Sequence, residues 1–191
     1  MEVKRFDIIN HLIEKNSYTR YLEIGVQDGI CFGNVVCDEK IGVDPAARVE
    51  VSHKMTSDEF FEQNKSLFDI IFIDGLHESE QVYKDIQNAL SCLSVGGTIV
   101  CHDMNPQREE HQTPKPTALT WTGDCWKALI RLRAENSLLE VKTVDTDWGV
   151  AIIKRGKSKK FEAPKELTWR WFDENRYEAL NLISTIEFYN L

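Results

Sequence analysis

The chain has 191 residues, enough for one domain with its own core, and its 42% hydrophobic and 28% charged content is that of a folded globular protein. A net charge of −8 argues against a general nucleic-acid surface, and the one basic run, "KRGKSKK" at 154–160, reads as a solvated loop. The five cysteines (Cys31, Cys37, Cys92, Cys101 and Cys125) are odd in number and form no C-x-x-C pair, so no disulfide or zinc framework is expected and a reducing compartment, the cytoplasm by default, is.

The first residues, "MEVKRFDIINHL", lack the apolar core of a signal peptide, and no stretch is long enough to span a membrane. Phe6, Ile9, Leu12 and Ile13 share one helical face over residues 6–15. "YLEIG" (21–25) reads as a short buried strand ending on glycine, followed by a short glycine-punctuated helix. "KIGVDP" (40–45) is a second strand stopped by Pro45, and "VEVS" (49–52) a weaker third. "TSDE" (56–59) fits a capping box and starts a helix.

"FDIIFIDG" (68–75) is the strongest strand pattern in the chain. The helix after it, 79–93, aligns Val82, Ile86, Ala89, Leu90 and Leu93. "GGTIVCHDM" (96–104) is the next strand, and a polar loop with prolines runs on to about 120. A helix over 124–136 has Asp124 placed as its N-cap. "LEVKTVDTD" (139–147) and "WGVAIIKRG" (148–156) form a closing pair that must be antiparallel, because a parallel return needs a crossover. Residues 167–191 are helical and rich in aromatics.

Strands that alternate with helices predict an α/β domain with a mostly parallel sheet covered on both faces. The expected organisation is an N-terminal helix (1–17), a central domain (18–156) and a C-terminal helical appendix (157–191) packed on it. Ligands of such sheets lie beyond the carboxyl ends of the strands. Those ends carry Glu23, Gly25, Asp28 and Gly29, then Asp44, then Asp74 and His77, then His102 and Asp103, then Asp145 and Asp147. So many carboxylates repel one another unless a cation or a polyhydroxyl ligand answers them. "EIGVQDG" is not G-x-G-x-x-G, and there is no P-loop lysine. Asp44 stands where a carboxylate would hold a ribose diol, so the expected ligand is an adenosine derivative without a pyrophosphate.

"YLEIGVQDG", "IGVDP", "FDIIFIDGLHESEQVYKDIQNAL" and "LSVGGTIVCHDM" resemble the class I S-adenosylmethionine (SAM)-dependent methyltransferases over residues 18–155. More narrowly they are similar to the metal-dependent macrolide-sugar O-methyltransferases. The resemblance implies a Rossmann-like seven-stranded sheet whose last strand is antiparallel. It implies that Glu23, Gly25 and Gly29 line the SAM loop and that Asp44 binds the ribose. Ser57 or Asp58 would neighbour the adenine, or else serve only in helix capping.

It further implies Asp74 as a metal ligand and His77 as general base, with residues 102–103 completing the metal site. The relatives carry two acids at that pair, and this chain carries His102 and Asp103. Adjacent strand residues point to opposite faces, so both reach one ion only if the strand has already ended. Asp103 is the favoured ligand. His102 would orient a neighbour, contact substrate or, as a ligand, shift the site from Mg²⁺ towards Mn²⁺ or Fe²⁺.

The expected activity is O-methylation of a sugar or another small-molecule hydroxyl. The loop 104–122 is long enough for a lid, with Trp121 and Trp126 available for stacking or for the core. Trp169, Trp171, Phe172, Tyr177, Phe188 and Tyr189 would pack on the domain or on a second copy in a homo-oligomer. His11, His53 and His111 fit no pattern and read as surface or structural. An NAD-linked oxidoreductase is the rival on a similar fold, disfavoured by the missing G-x-G-x-x-G. A catalytically silent SAM-binding protein is a second, disfavoured by Asp74, His77 and Asp103.

Overall fold

The computed structural model describes residues 2–116 and 120–191; Met1 and residues 117–119, part of the expected lid, lie outside the described residues. Seven strands form one sheet: β1 (Arg20–Ile24), β2 (Glu39–Val43), β3 (Phe68–Ile73), β4 (Leu93–Cys101), β5 (Leu139–Val144), β6 (Val150–Arg155) and β7 (Leu182–Ile183). Their order is β2-β1-β3-β4-β6-β5-β7. β1 pairs in parallel with β2 and β3, and β3 with β4; β6 runs antiparallel to both β4 and β5, while β7 lies parallel to β5. β6 is therefore the one reversed strand, as the short connection from β5 requires.

Two expectations about strands need correction. "VEVS" is not a strand: the β-bridge here, Val43 to His53, lies just past it, and Ser52 Oγ accepts from Gly42 N at 3.2 Å. The seventh strand comes instead from the C-terminal segment, where β7 adds two residues to the outer edge of β5.

The helices are α1 (Arg5–Asn16), α2 (Ile30–Asn34), α3 (Ser57–Gln63), α4 (Ser79–Ser91), α5 (Cys125–Glu135), α6 (Trp169–Leu180) and α7 (Thr185–Tyr189). Strand side chains alternate between two layers, as the period of two demands. Ile70, Phe72 and Val100 pack with Ile8, Ile9 and Leu12 of α1 and with Phe188 of α7. Ile71, Ile73, Ile99 and Cys101 face the opposite layer, built from Val82, Ile86 and Ala89 of α4, Leu129 of α5 and Phe172 of α6. Trp126 is fully buried against Phe172, with ring centroids 4.2 Å apart, so it belongs to the core and not to an acceptor wall.

Local signals hold at α3, where Thr56 and Glu59 form the reciprocal capping box. At α5 the expectation fails in an instructive way. Asp124 precedes the helix but makes no side-chain cap bond there. Its carboxylate accepts from Ser79 N at 2.7 Å and from Ser79 Oγ at 3.2 Å, and so caps α4 from across the fold. A second helix start lay within reach, and tertiary packing decided which one Asp124 serves.

Candidate active site

Ile24, Val43, Ile73 and Cys101 end four neighbouring strands in register. The residues that follow them, Gly25, Asp44, Asp74 and His102, therefore form one row beyond the carboxyl edge. Backbone bonds continue into that row, from Gly25 N to Val43 O (2.9 Å), Asp74 N to Ile24 O (2.8 Å) and His102 N to Ile73 O (3.1 Å).

After Cys101 the strand ends. Asp103 takes a left-handed conformation, φ 61°, and its carboxylate turns to the same side as the His102 ring. One ligand atom each from Asp74, His102 and Asp103 lies within 4.8 Å of the others. His102 Nδ1 faces Asp74 Oδ1 at 3.2 Å and Asp103 Oδ2 at 3.3 Å. His77 enters from the loop before α4, with Nε2 3.3 Å from Asp103 Oδ2 and 3.5 Å from Asp74 Oδ1. The four residues that the sequence singled out as the reacting group are thus brought together.

The electrostatics follow from this crowding. Burial opposes ionisation of Asp74, yet the charge and hydrogen bond of His102, with His77 behind them, hold it well below the usual carboxylate range. Burial also opposes charge on His77, but the Asp74 hydrogen bond and the charges of Asp103 and Asp74 outweigh it and raise the pKa. For His102 burial is again outweighed, by Asp74 and Asp103, and the pKa rises well above the ordinary value.

Sequence reasoning missed Arg5. From the start of α1 its Nη1 donates to Asp147 Oδ2 at 2.9 Å, and its Nε lies 3.6 Å from Asp74 Oδ2. Asp147 is one of the rim carboxylates to which the sequence assigns no role. A lone arginine at a helix start reads as solvated, and only the docking of α1 brings it here.

Beside this cluster lies the glycine loop. Gly25 has φ 88°, and a Cβ there would lie 2.2 Å from Asp74 O, so the glycine permits β1 and β3 loops to touch. That close approach is to the protein's own backbone. Gly29 is the N-cap residue of α2. Glu23 is 1% exposed; its Oε2 accepts a short bond from the Tyr21 hydroxyl. Burial, partly offset by that bond, pushes its pKa up to about 8. Asp44 Oδ2 accepts from Gln27 N (2.8 Å) and Oδ1 from Ala46 N (2.7 Å), which fixes the carboxylate at the strand end and leaves each oxygen a second lone pair.

Ser57 and Asp58 stand apart from the cluster. Gln81 Nε2 reaches both, at 3.3 and 3.2 Å, and Lys84 Nζ pairs with Asp58 at 2.7 Å. The helix cap is made by their neighbour Thr56. Trp121 does stack on a ring, that of His77, with centroids 4.9 Å apart and planes 24° from parallel.

Buried polar atoms around Asp74 lack hydrogen-bond partners: Glu23 Oε1, His77 Nδ1 and Arg5 Nε, the last with only its 3.6 Å ion pair to Asp74. Buried polar groups are normally satisfied, so orphaned atoms of both signs on one rim fit a polar ligand seated there. The donor set of two carboxylates and an imidazole fits a divalent cation. The residues present therefore suit both groups that the sequence resemblance implies.

Comparison with known proteins bears on the fold and on the segment that carries most of this cluster. Residues 42–104 match a family model described as a methyltransferase domain, a segment that holds Asp44, Asp74, His77, His102 and Asp103. The sheet has the Rossmann-like methyltransferase fold. An O-methyltransferase from Streptomyces achromogenes, involved in tomaymycin synthesis and solved with SAM, superposes with a TM-score of 0.58 at 12% identity, over 80% of this chain and 79% of that one. An O-methyltransferase from Bacillus cereus, in complex with S-adenosylhomocysteine (SAH), gives 0.56 at 15% identity, over 80% and 81%. An SAH-bound methyltransferase from Podospora anserina gives 0.57 at 17%, over 80% and 78%. No curated protein matches the chain by sequence. Among the described residues no helix is long and apolar enough to cross a membrane.

Proposed function

We propose that this protein is a SAM-dependent O-methyltransferase acting on a small-molecule hydroxyl, with a sugar as the leading acceptor class. His77 is the base, and Asp74, Asp103 and His102 hold a divalent cation. The observation that carries the reading is the left-handed turn at Asp103, which sets two adjacent residues on the side of Asp74. The methyltransferase match over residues 42–104 supports this chemistry over an oxidoreductase on a similar sheet.

SAM, when bound, supplies a methyl carbon on a sulfonium leaving group. A divalent ion, when bound, lowers the pKa of a coordinated hydroxyl. The chain's part is to orient and to move one proton. Glu23, Gly25, Gly29 and Asp44 form the cofactor side of the rim. His77 Nε2 faces the two carboxylates of the cation site, so the nitrogen that would take the proton stands at its mouth. Those carboxylates also raise the pKa of His77, so it serves as a base once their charge is engaged. Trp121 covers the ring and limits its access to water.

Calorimetry with SAH, with and without Mn²⁺ or Mg²⁺, tests the binding half. The expected result is SAH binding to both the wild type and His77→Ala, with methyl transfer lost in the variant. Transfer that persists in His77→Ala removes the base from the reading. Transfer that persists in excess chelator removes the cation.

A further inference from the structure

The turn between β5 and β6 carries an unusual backbone. Asp147 and Trp148 have φ of 44° and 65°, and Gly149 N closes the turn on Thr146 O at 2.8 Å. A bulky residue such as Trp148 rarely adopts positive φ, and strain of this kind persists only where surrounding contacts enforce it. Those contacts are present. Trp148 O accepts from Asn105 N at 2.7 Å, and Gly149 O from Met104 N at 3.1 Å, directly after Asp103. Thr146 Oγ1 donates to Val3 O at 2.7 Å. The turn is fastened both to the loop behind the cation site and to the segment that leads into α1.

What it presents there is a buried carboxylate. Asp147 is 7% exposed. Its Oδ2 accepts from Arg5 N and Arg5 Nη1, both at 2.9 Å, and faces His102 Nε2 at 3.6 Å. An imidazole that lends its Nδ1 lone pair to a cation must carry its proton on Nε2 and needs an acceptor behind it. Arg5 Nη1 is also near Nε2, at 3.4 Å, but a guanidinium has only donors. Asp147 is the carboxylate on that side, and its 3.6 Å gap to Nε2 must shorten for that bond to form.

We infer that Asp147, held by Arg5, is a positioning residue that fixes His102 with Nδ1 turned to the cation between Asp74 and Asp103. The inference rests on the cation reading above and explains how a histidine serves where an acid would need no such support. Arg5 also spans Asp147 and Asp74, so the third carboxylate enters the cluster with its own countercharge.

Mn²⁺ binding to the full chain, followed by the EPR signal of free Mn²⁺, tests this without any turnover. Asp147→Ala is expected to weaken Mn²⁺ binding about 10- to 100-fold, the range for lost outer-sphere partners. Asp147→Asn should lose less, because its amide oxygen still accepts and asparagine tolerates the positive φ. In a His102→Asp background, whose ligand needs no acceptor behind it, Asp147→Ala should change affinity by no more than about twofold. Equal losses in both backgrounds would show that the turn acts only as a structural clamp and would overturn the inference. So would wild-type affinity in Asp147→Ala, or a His102→Asp chain that no longer binds Mn²⁺. A wild type that binds no Mn²⁺ overturns the cation reading itself, which is a separate result.

Discussion

Replacing Glu23 by glutamine isolates one buried proton. Glu23 is 1% exposed on β1, with one oxygen bonded to Tyr21 and the other unpartnered. Burial, with the Tyr21 bond opposing and the charge of Asp74 adding, takes its pKa from an ordinary 4.5 to about 8. Between those values the folded protein holds a proton that the unfolded chain has released. The stability due to that proton is complete below pH 4.5 and is lost as pH rises through about 8. At about 1.4 kcal/mol per pH unit, the whole span amounts to ~5 kcal/mol. Urea denaturation of the wild type and of Glu23→Gln at pH 5 and pH 8.5 measures it, and the difference between the two proteins cancels the other titrating groups. Glutamine should gain on the wild type by most of that amount at the higher pH. If the difference is the same at both pH values, Glu23 titrates normally and the burial argument is wrong.

Three other outcomes are expected. Gly25→Ala places a Cβ 2.2 Å from Asp74 O at a positive φ; ~2 kcal/mol of strain should lower Tm by about 5 °C and weaken SAH binding, and an unchanged melting curve would contradict the contact. Asp124→Ala removes the partner of Ser79 N and should cost ~1 kcal/mol in urea unfolding, as loss of a helix cap does, although Asp124 lies outside α4. Burial, only partly offset by bonds from Ser57 and Gln81, raises Asp85 to about 6 from 3.8. Asp85→Asn should therefore be more stable than the wild type above pH 6, by up to ~3 kcal/mol, with the gain fading towards pH 4; a gain that does not depend on pH would rule out titration as its source.

The parts of this fold legible in the sequence are those written in local pattern. The run Phe68–Ile73, apolar except for Asp69, reads as a buried strand, and an acid after it with a histidine three residues on falls at the ligand edge. The alternation in "VEVS" has the right period, but the bridge to β2 is made only by His53 just after it, so propensity without a paired strand formed none. Asp124 shows the same limit for capping. Arg5 and Asp147 are 142 positions apart in sequence, and their bond exists because α1 docks beside the β5–β6 turn. No spacing rule reaches across such a distance. The left-handed turn at Asp103 was equally hidden, and it decides whether His102 and Asp103 act together.

β7 is two residues long, yet it covers part of a sheet edge. It pairs with Thr143 and Val144, at the outer side of β5. Uncovered, those groups would form a bare strand margin, the kind of surface that recruits a strand from a neighbouring molecule. His11 of α1 lies against Phe188 and Tyr189 of α7, which follows at once, so the cover is latched to the opposite end of the chain. Cutting the chain before residue 182 would then show itself first as loss of solubility, ahead of any loss of catalytic residues.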